Sequence, residues 1–343
     1  MYLPQPRGPI STALAIALTR SPHALPATVL DHARSAVDGA PRAGLSDEDL
    51  QLSLWICYEL SYRGFDDVDD AWESDLSLLG VRATLETRLV AALQDATATH
   101  DTRKVGPADI PAALTALIDA DEGPPLALYL QRQATTEQFA EFVAHRSIYH
   151  LKEADPHSWA IPRIGGRAKA ALVEIQADEY GGGRVERMHS ELFRTTMRGL
   201  GLDDTYGAYL DQVPAVTLGV SNTMSLFGLH RRWTPALLGH LAVFEMTSSL
   251  PNRRYGNGLR RLGYDATTTH FYDEHVEADA VHEQIAAHDL CGSYAIDHPH
   301  TAEDILFGAA CALAVDNAMA LHLLHRWDTG DSALLARPDA AAA

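Results

Sequence analysis

Cysteine is scarce in this 343-residue chain. Its three cysteines, Cys57, Cys291 and Cys311, have no metal-type spacing. So small and odd a number argues against a disulfide framework and fits a reducing compartment. Positive charge is short too: 27 Lys and Arg stand against 46 Asp and Glu, a formal net charge of −19. Such a surface repels phosphate backbones, so a nucleic-acid partner is not expected, and nothing calls for an anionic membrane. Within the 46% hydrophobic fraction, Ala and Leu outweigh β-branched residues, which favours helix over sheet. Strand signals are almost absent. No apolar run reads as membrane-spanning, and Met1 to Ile10, with Pro4, Pro6, Gly8 and Pro9, lacks a secretion-signal pattern. The expectation is a soluble cytoplasmic protein with no membrane partner and no internal repeat.

What is present is helix after helix. Residues 11–40 carry helical apolar patterns broken by Pro22 and Pro26. Ser46 followed by Asp47, Glu48 and Asp49 reads as a helix start. That helix, through Leu50 to Leu60, is apolar on most sides, so it packs internally or forms a homodimer interface. Another helix is expected at about 82–97. Thr135-Thr136-Glu137 opens one that continues to about Ala154, before Pro156. Arg167 to Phe193 is a long helical pattern interrupted at Gly181-Gly182-Gly183. Further helices are expected at 203–211, 214–227, 234–249, 253–263, 267–289 and 301–326. The fold class is all-α: a helical N-terminal segment over 1–125, packed on a bundle over 126–329, with a frayed, Ala-rich tail over 330–343.

Seventeen histidines are many for this length. One stretch uses them in a pattern: His275, Asp279 and His282 fall on one stripe of a helix. Two imidazoles and a carboxylate suit iron, manganese or zinc. Three other helices offer matching groups. They carry Glu153; then Glu179, Glu186 and His189; then Glu245, which sits in the apolar run Leu241 to Met246. Glu186-Arg187-Met188-His189 has the Glu-x-x-His spacing that helical bundles use for paired metals. A carboxylate in an apolar run is costly unless it is paired or bound to a cation. Each group taken singly could be structural: Glu153 could pair with Lys152 or Arg163, and His145, His150, His322 and His325 read as ordinary surface or core histidines. Together, five carboxylates and three imidazoles suit two carboxylate-bridged iron ions better than a structural zinc.

Four segments resemble the haem-oxygenase-like diiron oxidases, the iron-containing redox enzymes. They are His150 to Pro162, Glu174 to Gly183, Glu186-Arg187-Met188-His189, and His275-x3-Asp279-x2-His282. The resemblance implies a haem-oxygenase-like helical bundle with two iron ions, dioxygen as co-substrate and an external reductant or electron donor. It implies Glu153, Glu186, His189, His275, Asp279 and His282 as core ligand positions. Glu245 resembles a mid-bundle carboxylate of some members. Glu179 resembles an extra carboxylate of members that oxidise nitrogen. This points to N-oxygenation of a small amine or amino-acid-derived substrate to a hydroxylamine, nitroso or nitro product in specialised metabolism. Oxidative carbon–carbon cleavage or desaturation is the alternative within the family, and a non-catalytic iron-binding bundle the alternative outside catalysis. Arg163, Arg184, Arg187, Tyr149, Tyr180 and Trp159 lie near ligands in sequence and are candidate substrate contacts.

Overall fold

The computed structural model describes residues 1–37, 41–99 and 105–336, the side chains of 37, 41, 42 and 277–281 excepted. It is helical throughout, with no strand among the described residues. Helices α1 (Pro9–Leu18) and α2 (Ala27–Val37) are separated by the stretch holding Pro22 and Pro26. Helix α3 (Glu48–Glu59) starts one residue later than its sequence suggests. Ser46 closes a 3₁₀ turn, and Asp47 is the cap, its carboxylate accepting from the Leu50 N–H at 3.0 Å. A cap of this kind contributes about 1 kcal/mol. There follow α4 (Leu76–Ala96), α5 (Ile110–Asp119), α6 (Leu126–Arg132) and α7 (Thr136–His150). Thr135 and Gln138 form a reciprocal capping box at the start of α7.

Helix α7 stops at His150, not near Ala154, and a turn carries residues 151–154 into the short α8 (Asp155–Ser158). The long pattern 167–193 divides as well. It gives α9 (Gly166–Glu179), two 3₁₀ turns, and α10 (His189–Gly199). Gly181, Gly182 and Gly183 all have positive φ, 63°, 60° and 79°, a region that L side chains rarely adopt. The glycines therefore end one helix instead of weakening the middle of another. Beyond α10, 203–211 is a series of turns and not the expected helix. There the Asp203 side chain accepts from the Thr205 N–H, and Gly207 has φ 79°.

The remainder is α11 (Ala215–Leu229), α12 (Thr234–Thr247), α13 (Ser249–Arg261), α14 (Ala266–Gln284), a π-helical stretch Ile285–Gly292, α15 (Ser293–Asp297) and α16 (Ala302–Asp328). Helices α12 and α16 cross at glycines. A Cβ on Gly239 would lie 1.9 Å from the Ile305 carbonyl oxygen, and one on Gly308 would lie 1.9 Å from that of Ala236. One helical segment, Pro299–Asp328, is in fact long and apolar enough to cross a membrane, contrary to the sequence reading. However, 61% of its apolar window is buried inside the bundle.

The N-terminal helices share this core. Residues Leu50 through Glu59 of α3 are buried, against α11 among others. Asn222 of α11 donates to both the backbone oxygen and Oε1 of Gln51, each at 2.8 Å. Lys152 reaches Glu59 at 3.0 Å, Tyr206 donates to the same carboxylate at 2.8 Å, and both ends of the ion pair are buried. The apolar α3 is thus covered from within its own chain. The expected frayed tail is packed at its start. Ala333 is buried and its N–H donates to Glu141, while the Leu335 N–H donates to the Gln212 carbonyl. Residues 337–343 lie outside the described residues.

Candidate metal centre

Five elements meet at one buried point. The turn after α7 brings in Glu153, the last residue of α9 is Glu179, and the first residue of α10 is His189. Glu245 comes from the last turns of α12, and His275 and His282 come from α14. Ligand atoms of Glu153, His189 and His275 lie within 4.8 Å of one another. Nδ1 of His189 is 3.1 Å from Oε1 of Glu179, and Nε2 of His275 is 3.9 Å from Oε1 of Glu153. The two imidazole rings stand 4.4 Å apart, centre to centre. Glu245 Oε2 lies 3.2 Å from Nδ1 of His282. All six of these residues are buried.

The chemistry of the donors says what they lack. Oε2 of Glu153, Oε2 of Glu179, Nδ1 of His189 and Nε2 of His275 are buried with no hydrogen-bond partner. Leaving one such group unmatched costs about 1–3 kcal/mol, more when charged, so four at one point form an unstable set unless a cation completes it. Oxygen and imidazole donors without sulfur suit iron or manganese. The free atom of His275 is also pre-aimed. Its Nδ1 donates to the Phe271 carbonyl at 2.8 Å, which leaves the Nε2 lone pair for a metal.

Protonation follows the same geometry. Burial, with His189 adding to it, pushes His275 down to about 3, so its imidazole is neutral. Burial opposes the charge of Glu153, but His150, His275 and His189 outweigh it and hold that carboxyl at about 2. Burial lifts Glu179 to about 7 against the pull of His189. Burial likewise opposes the charge of His189, and Glu179, Glu153 and Glu245 overcome it, raising the imidazole to about 9. Without metal, then, His189 is held in its charged form beside the Glu179 carboxyl.

The remaining candidates fall differently. Glu186 is exposed on a 3₁₀ turn, because α10 begins only at His189 and the pair never shares a helical face. The side chain of Asp279 lies outside the described residues. His282 has carboxylates at both nitrogens, Glu245 at Nδ1 and Asp178 at Nε2, the latter at 2.9 Å. Lys152 pairs with Glu59, and Arg163 donates to the Gly228 and Leu229 carbonyls, so neither serves Glu153. Arg184 and Arg187 are exposed.

Two site residues were not assigned to the site in sequence. His150, read there as an ordinary histidine, donates from Nδ1 to Glu153 Oε1 at 2.9 Å, and its i,i+3 spacing to that residue was the available signal. Asp178 had none, since it precedes Glu179 and adjacent helical residues point apart. Trp159 and Tyr180 line a separate, open groove with Tyr62, Arg63 and Asp155. Tyr149 instead lines both cavities beside Glu153, and burial, with the nearby Glu153 carboxylate, keeps its phenol protonated. A cavity of about 30 Å³ lies among Glu153, Glu179, Glu245 and His275. A second, of about 250 Å³, adjoins it at Tyr149, Glu153, Phe244 and His275.

A helical bundle that gathers buried carboxylates and imidazoles, with a larger cavity alongside, has the donor set of a metal-binding protein. The family model described as iron-containing redox enzyme matches residues 140–317, more than half of the chain. The chain belongs to that family, and its all-α fold is haem-oxygenase-like. The buried Glu and His cluster fits iron. A nitrosourea synthase of Streptomyces achromogenes subsp. streptozoticus is 28% identical over 138 residues. That match covers 40% of this chain and 29% of the relative, so the chain spans well under half of that protein's length.

Proposed function

We propose that this protein is a non-haem diiron oxygenase that adds oxygen to the nitrogen of a small amine or amino-acid-derived substrate. The observation that carries the reading is Glu179. It supplies a third buried carboxylate beside Glu153 and Glu245, with Oε1 3.1 Å from Nδ1 of His189 and Oε2 buried without a hydrogen-bond partner. Three buried carboxylates exceed what one divalent ion needs for charge balance, and bridging carboxylates are how such bundles hold metal pairs. Similarity to a nitrosourea synthase over 138 residues supports oxygenation at nitrogen.

Iron, when bound, supplies the dioxygen activation that no side chain performs. Glu153, Glu179, His189 and His275 would hold one end of the pair, and Glu245 and His282 the other. The chain's own work is to orient and to exclude water. The Phe271 carbonyl fixes the ring of His275, His150 fixes Glu153, and Tyr149 and Phe244 line both cavities. An external reductant supplies electrons for repeated turnover.

The test is to load the protein anaerobically with ferrous iron, count iron per chain, and admit dioxygen with a panel of amines and amino acids. Two irons per chain and a product heavier by one or more oxygens on nitrogen are expected. Carbon–carbon cleavage or desaturation products would replace this reading with the other family chemistry, and oxidation of iron without any product would leave an iron-binding bundle. The Glu179→Ala variant is expected to lose iron and N-oxygenation. If it keeps both irons and full activity, Glu179 does not set the reaction.

A further inference from the structure

The two buried histidines of α14 are held by opposite ring nitrogens. His275 donates from Nδ1 to the Phe271 carbonyl at 2.8 Å, and its Nε2 is the unmatched atom. His282 has Nδ1 3.2 Å from Oε2 of Glu245 and Nε2 2.9 Å from Oδ2 of Asp178. These two carboxylates differ in where they sit. The Glu245 side chain is 8% exposed and lines the cavity of about 30 Å³ with Glu153, Glu179 and His275. The Asp178 side chain is 59% exposed. The ring of His282 therefore spans from the metal centre to the solvent edge, with Nδ1 inward and Nε2 outward.

Ionised carboxylates only accept, and a neutral imidazole has one N–H. Serving Glu245 and Asp178 together takes a second ring proton or a cation in its place. The other metal donors stand on the inner side, around Glu245. A cation that replaces the inner proton meets Nδ1 and Glu245 together, and the outer N–H stays with Asp178. The local structure of α9 allows this. Consecutive residues of a helix point about 100° apart, so its last turn can send Glu179 into the centre and hold Asp178 at the rim.

We propose that Asp178 is a positioning residue of the metal centre: it holds the Nε2–H of His282 and so fixes the tautomer and ring angle that present Nδ1, beside Glu245, to a metal ion. The Phe271 carbonyl does the same for His275 through the other nitrogen, so α14 offers one Nε2 donor and one Nδ1 donor. A carboxylate behind a ligating imidazole raises the basicity of the ring as well as orienting it. The assignment rests on the reading above in which Glu245 and His282 hold one ion of the pair. The opposite geometry has the opposite consequence. With Nε2 as the ligand, a metal would have to displace Asp178, and removing that carboxylate would tighten binding.

The first experiment is nitrogen NMR on the full chain, with histidine labelled by the heavy nitrogen isotope and zinc as a diamagnetic ion that accepts imidazole and carboxylate donors. His282→Gln identifies the His282 signals by their loss. On zinc loading, Nδ1 of His282 is expected to shift while Nε2 keeps its proton, and His275 is expected to show the reverse. The second experiment is anaerobic titration with ferrous iron against a chelator. Asp178→Ala is expected to weaken the second iron roughly 10- to 100-fold and to leave the first unchanged. Asp178→Asn, isosteric and able to accept without charge, is expected to fall between Ala and the native protein. The proposal is overturned if zinc takes Nε2 of His282 or neither nitrogen, if Asp178→Ala binds both irons as the native protein does or tighter, or if both Asp178 variants weaken the two irons alike. Neither measurement uses dioxygen or substrate. A centre assembled through Nδ1 that yields no N-oxygenated product keeps Asp178 in this role and loses the reaction assigned above. Zinc at Nε2 in a protein that does N-oxygenate has the converse result.

Discussion

At the scale of single residues, the site separates two carboxylates that read alike in sequence. Glu153 and Glu186 were both read as ligands. The structure buries the first among His150, His189 and His275 and leaves the second in solvent. Their substitutions should therefore diverge. Glu153→Gln keeps the volume and removes the charge and is expected to abolish iron retention under chelator competition. His150→Ala removes only a partner of Glu153 and is expected to weaken iron binding roughly 10- to 100-fold, the usual cost of losing an outer-shell contact. Glu186→Gln is expected to retain iron like the native protein, as measured by metal analysis after dialysis against the chelator. Iron loss in Glu186→Gln equal to that in Glu153→Gln would mean that α10 is extended backward by a turn in the loaded protein. The ligand set would then need redrawing.

At the scale of elements, the break between α9 and α10 decides what His189 can reach. Ten residues separate Glu179 from His189, a spacing that points away on a continuous helix. Three left-handed glycines fold the chain back so that the two side chains meet. Gly181 is the tight point, since a Cβ there would lie 2.5 Å from the Arg187 carbonyl carbon, whereas one on Gly182 meets nothing within 4 Å. Gly182→Ala thus incurs only left-handed strain, about 1–2 kcal/mol. Gly181→Ala adds a backbone clash, which must spread the turn. The expected result is a larger fall in melting temperature for Gly181→Ala, accompanied by weaker iron binding, and a smaller fall with iron binding kept for Gly182→Ala. Equal effects would show that the turn does not position Glu179 against His189. The same break explains what the sequence could convey. Helical periodicity and caps located α3, α7, α11, α12, α14 and α16 to within a few residues, because those signals are local. The stripe of His275 and His282 and the costly Glu245 were visible for the same reason. Reading Glu186 with His189 required a continuous helix, and the positive φ of Gly181–Gly183 removed it. The juxtapositions of Asp178 with His282 and of Arg146 with Asp316 join residues 104 and 170 positions apart, and only packing creates them.

At the scale of the whole molecule, histidine sets the pH response of the metal-free protein. His145 is buried at the α7–α11 contact with its Nδ1 2.6 Å from the Thr217 hydroxyl. Burial pushes it down to about 3. His157 and His240 touch at 3.3 Å, and burial pushes the first to about 4 and the second well below its usual range. In an unfolded chain all three titrate near 6.5. Below that pH the unfolded state binds protons that the folded state refuses. Stability present above pH 6.5 is therefore lost as pH falls toward the folded values, by about 1.4 kcal/mol per pH unit for each histidine. The carboxylate-paired His189 and His282, both raised to about 9, act in the opposite sense. Their stabilisation is fully present below pH 6.5 and disappears as pH rises through 9. The metal-free protein should accordingly be most stable near pH 6.5 to 7, with a steep acid limb and a shallower alkaline one. Loading with ferrous iron is expected to flatten the alkaline limb, because a ligating imidazole is already neutral. His145→Gln removes one buried titrating ring while leaving the metal site untouched, so its acid limb should be shallower by one histidine's slope. Chemical denaturation at pH 7, 6 and 5 reads the difference. An acid limb in His145→Gln as steep as the native one would show that His145 is not among the groups that unfold this bundle in acid.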